Sequence, residues 1–305
     1  MPEIIDFHMH FMTQGTWEEF AKRRLASDVA RQHSEKKLKI GGNESIVLPE
    51  SAAQAAQWWL EHLDKNGVAA GGFMSGMPEN QTFYDFLSKS NRFIGYTWLK
   101  ATDPDAPQVL EREVKAGMRC VKLYPPSQQF HLNDRAAWPF YEMAARLDVP
   151  ILIHMGITMG YQADLKYGNP LDLHAAARDF PDVTFVVAHF GAGFLRECLM
   201  LAYQLENVSF DSSGSNMWMK YLPYPITLED VFRKVIDVAG ARRILYGSDS
   251  TVFPRGYRTQ VLQEQLAVLD RLDLSAEDKA LILGGNARRL LKLETKYAVE
   301  VASRG

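Results

Sequence analysis

Cysteine is nearly absent from this sequence, with two among 305 residues. Cys120 and Cys198 cannot form a disulfide framework, and such sparing use fits a reducing compartment. Long apolar runs are missing too: no stretch of about eighteen residues is apolar enough for a membrane-spanning helix. The first residues lack a basic segment followed by an apolar one, so no secretory signal is expected and the expected location is the cytoplasm. Neither sign of charge dominates. Lysine and arginine number 34 against 37 aspartates and glutamates, spread along the chain, which leaves no electrostatic footprint for nucleic acid or a membrane surface. No glycine-rich phosphate fingerprint follows the first apolar run, which counts against a doubly wound dinucleotide-binding sheet. A composition 47% hydrophobic and 23% charged excludes a disordered or collagen-like chain, and the length suffices for a full core.

What is present is a repeat of pattern rather than of sequence. Short β-branched, apolar or aromatic runs alternate with longer amphipathic segments at roughly thirty-residue spacing, the signature of βα units on a parallel sheet. The runs fall at residues 4–7, 68–73, 93–98, 119–124, 150–154, 183–189, 208–211 and 243–246. Helical patterns fall at 51–66, 107–116, 135–147, 171–180, 194–205, 227–239, 257–269 and 275–283. Ser51 and Gly67 punctuate the first of these, and Pro125-Pro126 ends the fourth run because proline cannot continue a central ladder. Eight strands with their helices predict an α/β fold, a (β/α)₈ TIM barrel forming one domain over residues 1–305. Residues 13–50 are too long for an ordinary βα loop and are expected to form a lid insertion. Residues 275–305 are expected to add C-terminal helices.

The histidines carry the chemistry. His8, His10, His154, His189 and Asp249 fall at the C-terminal ends of the expected strands, and in a barrel those ends converge on one mouth. His8 and His10, two apart in an extended segment, point to the same side. Imidazoles with a carboxylate favour one borderline divalent cation, Zn²⁺ first with Mn²⁺ or Fe²⁺ as alternatives, over Mg²⁺ or Ca²⁺. An open position on such a cation holds water or substrate, and water there ionises near neutral pH. His33, His62 and His174 lie on lid or helix segments and read as solvated or structural. His131, in the loop beyond the fourth strand, belongs to the loops able to face substrate. Cys120 and Cys198 read as inert core residues.

The segments IDFHMH, VKLYPP, ILIHMG, VVAHFGAG, ILYGSDS and GGNARRLLKL occur in that order from about residue 4 to about residue 293. Together they resemble the amidohydrolase superfamily, most closely its amidohydrolase-related branch of metal-dependent hydrolases and decarboxylases. The resemblance implies that His8, His10 and His154 are metal ligands, and that Asp249 binds the metal and takes a proton from its water. For His189 it implies a hydrogen bond to the water or substrate oxygen in mononuclear members, or ligation of a second metal in binuclear ones. Lys122 ends the fourth strand, where binuclear members carry a carbamylated lysine between two metals. KLYPP is more similar to the mononuclear segment, in which the lysine is an ordinary cation that pairs with Asp249 or a substrate anion. The division of roles is chemically sound, since a carboxylate beside activated water serves as a base and an imidazole steadies oxyanion charge.

Substrate contacts are expected from loops at the same end. Lys122, Tyr124, Arg255 and Trp218 are the first candidates, followed by Tyr161, Lys220, Phe253, Arg258 and the lid residue Trp17. Arg255, six residues past Asp249, is the expected carboxylate clamp because a guanidinium matches that group bidentately. Asp211 is expected to face the mouth and to order a neighbouring loop by accepting backbone N–H groups. The resulting reading is a metal-dependent hydrolase acting on an amide, ester or lactone bond of a small carboxylated substrate. Its first rival is a non-oxidative decarboxylase of an aromatic or dienoic acid. The second is a catalytically inactive barrel that serves in binding. A homodimer is the base-rate expectation.

Overall fold

The computed structural model describes residues 2–24, 27–38, 45–158, 160–214 and 216–294. Eight parallel strands form one sheet in the order of the chain. They are β1 (Ile5–His10), β2 (Ala70–Met74), β3 (Phe93–Trp98), β4 (Cys120–Leu123), β5 (Ile151–Ile153), β6 (Phe185–Val187), β7 (Val208–Asp211) and β8 (Ile244–Leu245). Backbone bonds join the last strand segment to the first. The Phe7 N–H donates to Tyr246 O, the Asp249 N–H to His8 O and the His10 N–H to Ser250 O, each at 2.8 Å. The result is the nearly closed TIM barrel expected from the pattern.

Helices cover the outside, and their ends follow local chemistry. In the helix Ala52–Lys65 the Ser51 hydroxyl accepts the Gln54 N–H, and Ala52, Ala55, Ala56, Trp59 and Leu63 bury one stripe, the spacing of an amphipathic helix. Thr227 and Asp230 form a capping box at the start of Leu228–Ala239, satisfying two otherwise orphaned N–H groups. A helix absent from the sequence expectation, Gln81–Leu87, links β2 to β3 with Asn80 as its cap. It is short and follows a run of polar residues, so its periodicity is weak.

β1 is where structure departs from expectation most usefully. It runs on to His10, so both histidines lie inside the strand rather than after it. Its pairing with β2 shifts between Asp6 and Met9, leaving Phe7 and His8 opposite a single residue, Gly72. Such a bulge changes which residues face inward. Before it, Ile5 and Phe7 belong to the core inside the barrel. After it, Met9 packs in the outer core while His8 and His10 meet Asp249 at the mouth.

The opposite end is plugged by the GGNARRL segment. Leu281–Gly285 form a widened turn before the helix Asn286–Leu290, so the helix expected at 275–283 is α-helical only at Ala276–Ala280. A Cβ on Gly284 would stand 2.5 Å from Glu3 O, which is why only glycine lets this turn approach β1. The buried Asn286 amide donates to Ala241 O and Ile244 O, both at 2.8 Å, and Ala287 and Leu291 close the inner core.

The segment expected to form a lid, residues 13–50, contains the helices Gln14–Arg24 and Asp28–Leu38. Its ends are tied down by the Gln14 N–H to Pro49 O at 2.9 Å and the Val47 N–H to Phe253 O at 2.8 Å. Residues 25, 26 and 39–44 of the expected lid, and 295–305 of the expected C-terminal helices, lie outside the described residues. Among the described residues no helix is long and apolar enough to cross a membrane.

Candidate metal centre

His8, His10 and Asp249 bring one potential ligand atom each within 4.8 Å of one another. His10 Nε2 lies 3.0 Å from Asp249 Oδ1, and His8 Nε2 lies 3.7 Å from the same oxygen. The backbone bonds of the barrel seam hold these groups opposite one another. Asp249 itself sits at φ +60°, a left-handed conformation that aspartate tolerates better than most residues.

Behind this trio stands Asp211, fully buried at the end of β7. Its Oδ2 accepts the His8 Nδ1–H at 2.7 Å. Its Oδ1 accepts the backbone N–H groups of His189 at 3.0 Å and Ser213 at 2.9 Å, together with the Ser213 hydroxyl. The carboxylate therefore orders the neighbouring loops and also fixes the His8 tautomer, leaving the Nε2 lone pair free for a cation. Burial opposes the charge on Asp211, but His8, His189 and Lys122 outweigh it and hold the carboxyl well below its usual range. Asp249 behaves alike: against burial, the hydrogen bond from His10 and the neighbouring imidazoles keep it ionised. Burial, aided by the Lys122 charge, pushes His8 down to about 3, so its imidazole is neutral.

His154 and His189 form a second pair. Carbonyl oxygens only accept, so His154 Nε2 must carry the proton given to Ile157 O at 3.1 Å. By the same rule His189 Nδ1 donates toward Ser213, whose Oγ and O lie at 2.7 and 3.1 Å. With those tautomers assigned from their partners, two lone pairs face each other, His154 Nδ1 and His189 Nε2, at 3.2 Å. Neutral rings repel in that arrangement, and a shared proton or a cation relieves it. Burial above all pushes the His154 pKa well below its usual value, so its ring is neutral and Nδ1 keeps its lone pair, the form in which an imidazole ligates a metal.

The backbone is distorted to achieve this meeting. His189, Phe190, Gly191 and Ala192 all have positive φ, between 41° and 81°, a strain that concentrates at functional sites. Gly156, at φ +77°, lets the β5 and β6 loops press together, since a Cβ there would stand 2.3 Å from Gly191 O. Neutral imidazoles with free lone pairs beside an ionised carboxylate match the donor set of a borderline divalent metal.

The sequence pattern of the amidohydrolase family matches residues 5–293. The chain belongs to that family. Its members are metal-dependent hydrolases and decarboxylases, and the chain is an enzyme of that kind. A 2-keto-4-carboxy-3-hexenedioate hydratase of Sphingobium sp. is 25% identical over 192 residues, 54% of this chain and 53% of the hydratase. The aligned stretch thus spans about half of that relative. Among solved structures, a 5-carboxyvanillate decarboxylase of Novosphingobium aromaticivorans complexed with manganese superposes at TM-score 0.67, with 16% identity over 96% of each chain. A probable 2-pyrone-4,6-dicarboxylic acid hydrolase of Acinetobacter baumannii gives 0.63, with 15% identity over 95% of this chain and 99% of that one. At those identities the superpositions speak for the fold.

The expected substrate contacts divide. Tyr124 lines the cavity at the mouth, as do Trp17 and Tyr161, whereas Lys122, Arg255 and Trp218 are not among its described lining residues. Trp218 packs in the outer core and donates its indole N–H to Asn216 Oδ1 at 3.2 Å. Lys122 does not snorkel to the rim: it is 1% exposed, its Nζ has no hydrogen-bond partner, and burial lowers its pKa to about 8 against the pull of Asp211 and Asp249. Arg258 approaches Asp249, with Nη1 3.5 Å from Oδ2, and Arg255 also interacts electrostatically with that carboxylate. Lys220 is exposed, Phe253 packs on Trp58, Trp59 and His62, and His131 pairs with Asp172 at 3.1 Å.

Sequence reasoning missed Ser213 and Asp6. Ser213 connects Asp211 to His189, and only the DSSG run after the seventh strand hinted at it. Asp6 Oδ1 accepts the backbone N–H groups of His8 at 3.0 Å and Ser248 at 3.1 Å, bracing both sides of the seam. Burial raises its carboxyl to about 7.

Proposed function

We propose that this amidohydrolase holds one divalent metal, Zn²⁺ first with Mn²⁺ or Fe²⁺ as alternatives, and hydrolyses an ester, lactone or amide bond of a small carboxylated substrate. One observation carries the reading: imidazole lone pairs and an ionised carboxylate converge at the mouth, with Asp211 and Ser213 orienting them from behind. His8, His10, His154 and Asp249 would hold the metal, which supplies Lewis acidity toward the scissile carbonyl and a nucleophile from water near neutral pH. Asp249 takes the proton of that water. Its carboxylate is kept ionised between His10 and Arg258, ready to accept a proton, and is a quarter exposed to the mouth. His189 presents Nε2 as an acceptor. With a proton taken up from solvent at Nε2 it would donate a hydrogen bond to the developing oxyanion and keep that proton, while Asp249 passes the proton of the water to the leaving group. Lys122, whose ammonium has no hydrogen-bond partner inside the barrel, offers positive charge to a substrate carboxylate at the metal end.

The rival lyase reading would use the same residues at the mouth. The two readings differ in product. Elemental analysis of the purified enzyme should find about one equivalent of zinc, manganese or iron, lost in His10→Ala. Asp249→Asn should lower kcat by about 10³-fold on lactone, ester or amide substrates. Absence of bound metal, or unchanged turnover in both variants, removes the proposal. Release of carbon dioxide without incorporation of labelled water into product transfers it to the lyase. Two equivalents of metal would place Lys122 and His189 on a second ion.

A further inference from the structure

The helix Leu195–Gln204 breaks the amphipathic pattern of the barrel's outer layer. The helices Ala52–Lys65, Ala106–Lys115, Trp138–Leu147 and Thr259–Arg271 leave no large hydrophobic side chain exposed. In Leu195–Gln204 the inner stripe is buried through Leu195, Cys198, Leu201 and Ala202, yet the outer stripe is apolar as well. Leu199 is partly buried, Met200 is 52% exposed and Tyr203 is 85% exposed. Residues three and four apart are neighbours on one side of a helix. A helix that is apolar all round belongs in an interior, and the outer side of this one faces none of its own.

That stripe borders a groove of about 840 Å³ shared with the helix Leu228–Ala239. Leu171, Tyr224 and Val238, all exposed, add to its walls. Apolar surface gathered in this way marks an interaction site in soluble domains. Covering these side chains together with the rim of Arg196, Gln204 and Lys234 would remove on the order of 800 Å² per copy, one partner's share of a stable complex.

Charge indicates the kind of partner. Lys234 follows Asp230 by one helical turn, and both line the groove. Arg196 is already paired with Glu197 at 2.6 Å. Opposite signs side by side give no preference for an acidic or a basic partner. A twofold axis crossing Leu228–Ala239 would set Lys234 of one copy against Asp230 of the other, and the Tyr203 ridge of each against the groove of its mate. Both shape and charge then complement themselves, as an isologous contact requires.

We propose that this face, built from Leu195–Gln204 and Leu228–Ala239, is the contact between two copies of the chain related by a twofold axis, with Met200 and Tyr203 at its centre. The contact is independent of the metal and of the reaction.

Sedimentation and light scattering of the purified chain should give the mass of two chains at micromolar concentration. Tyr203→Glu should raise the dissociation constant at least about thirtyfold, and Lys234→Glu, which sets two acids together, about tenfold. Val29→Glu, at an exposed apolar residue on the helix Asp28–Leu38, should leave it unaltered. Circular dichroism checks the fold of each variant. Hydroxyl-radical footprinting needs no variant: Met200 and Tyr203 of the wild type should be protected in the dimer and oxidised on dilution. A tetramer that Tyr203→Glu reduces to dimers supports the contact equally. A monomeric wild type overturns it, and if Met200 and Tyr203 are protected in that monomer, another segment of the chain covers the face. A dimer that survives both groove variants, or one in which Met200 and Tyr203 stay reactive, also overturns it. Dissociation by Tyr203→Glu but not by Lys234→Glu overturns the twofold pairing of charges.

Discussion

At one end the barrel interior is filled by Phe7, Tyr96, Leu152, Val186 and Leu245 and plugged by Leu291. A few residues further along the same strands or just past their ends, the interior holds His8, Lys122, His154 and Asp211 instead. The apolar end gains from every side chain it removes from water, about 25 cal/mol per Å² of apolar surface. The polar end loses on desolvation what its hydrogen bonds only partly restore, and it adds left-handed backbone at His189, Phe190 and Asp249. Stability and chemistry are thus separated along the barrel axis, with the strands in common.

Three variants would sharpen or break that comparison. Leu152→Ala, at a fully buried position of the apolar end, should cost about 3.5 kcal/mol in chemical denaturation because it leaves a cavity, with metal content unchanged. A simultaneous loss of metal would show that the ends are not separable. Lys122→Met should act in the opposite sense. The folded ammonium titrates at about 8 instead of 10.5, so between those values the unfolded chain binds more protons, and stability of the metal-free enzyme rises with pH across that window. The deficit is full below about pH 8. The variant should therefore be about 2 to 3 kcal/mol more stable at pH 7 and should lose the rise. A wild-type profile flat from pH 8 to 10.5 would mean that the ammonium is partnered. Asp211→Asn should have the smallest effect, lowering metal affinity about 10- to 100-fold in competition with a chelator through loss of the grip on His8. Unaltered affinity would mean that packing alone orients that imidazole.

Much of the architecture was legible because a parallel barrel writes itself as alternating periodicities, and all eight expected runs overlap strands of the barrel. The boundaries drifted where proline or positive φ ended pairing early, as at Pro125 and His189. The helix Gln81–Leu87 escaped because two turns give too little periodicity to read. At the site, the candidate ligands stood out by residue type and by position at strand ends. Their partners did not. Ser213 is an unremarkable serine until Asp211 and His189 close on it. Arg258 is a secondary candidate in the sequence, and only the path of the loop brings its guanidinium within 3.5 Å of Asp249. Trp218 looks like a loop aromatic and is a core residue.

By itself the sequence determined the barrel and the kinds of donor available, because hydrophobic period and side-chain chemistry are local properties. Which donors meet was decided by tertiary structure. His10 and Asp249 are 239 residues apart and become neighbours only when the seam closes, and a one-residue bulge in β1 turns His8 and His10 to the inside. Whether His154 and His189 face each other with lone pairs or protons depends on carbonyls contributed by Ile157 and Ser213. Such facts follow from long-range packing and hydrogen-bond direction, which no local pattern encodes.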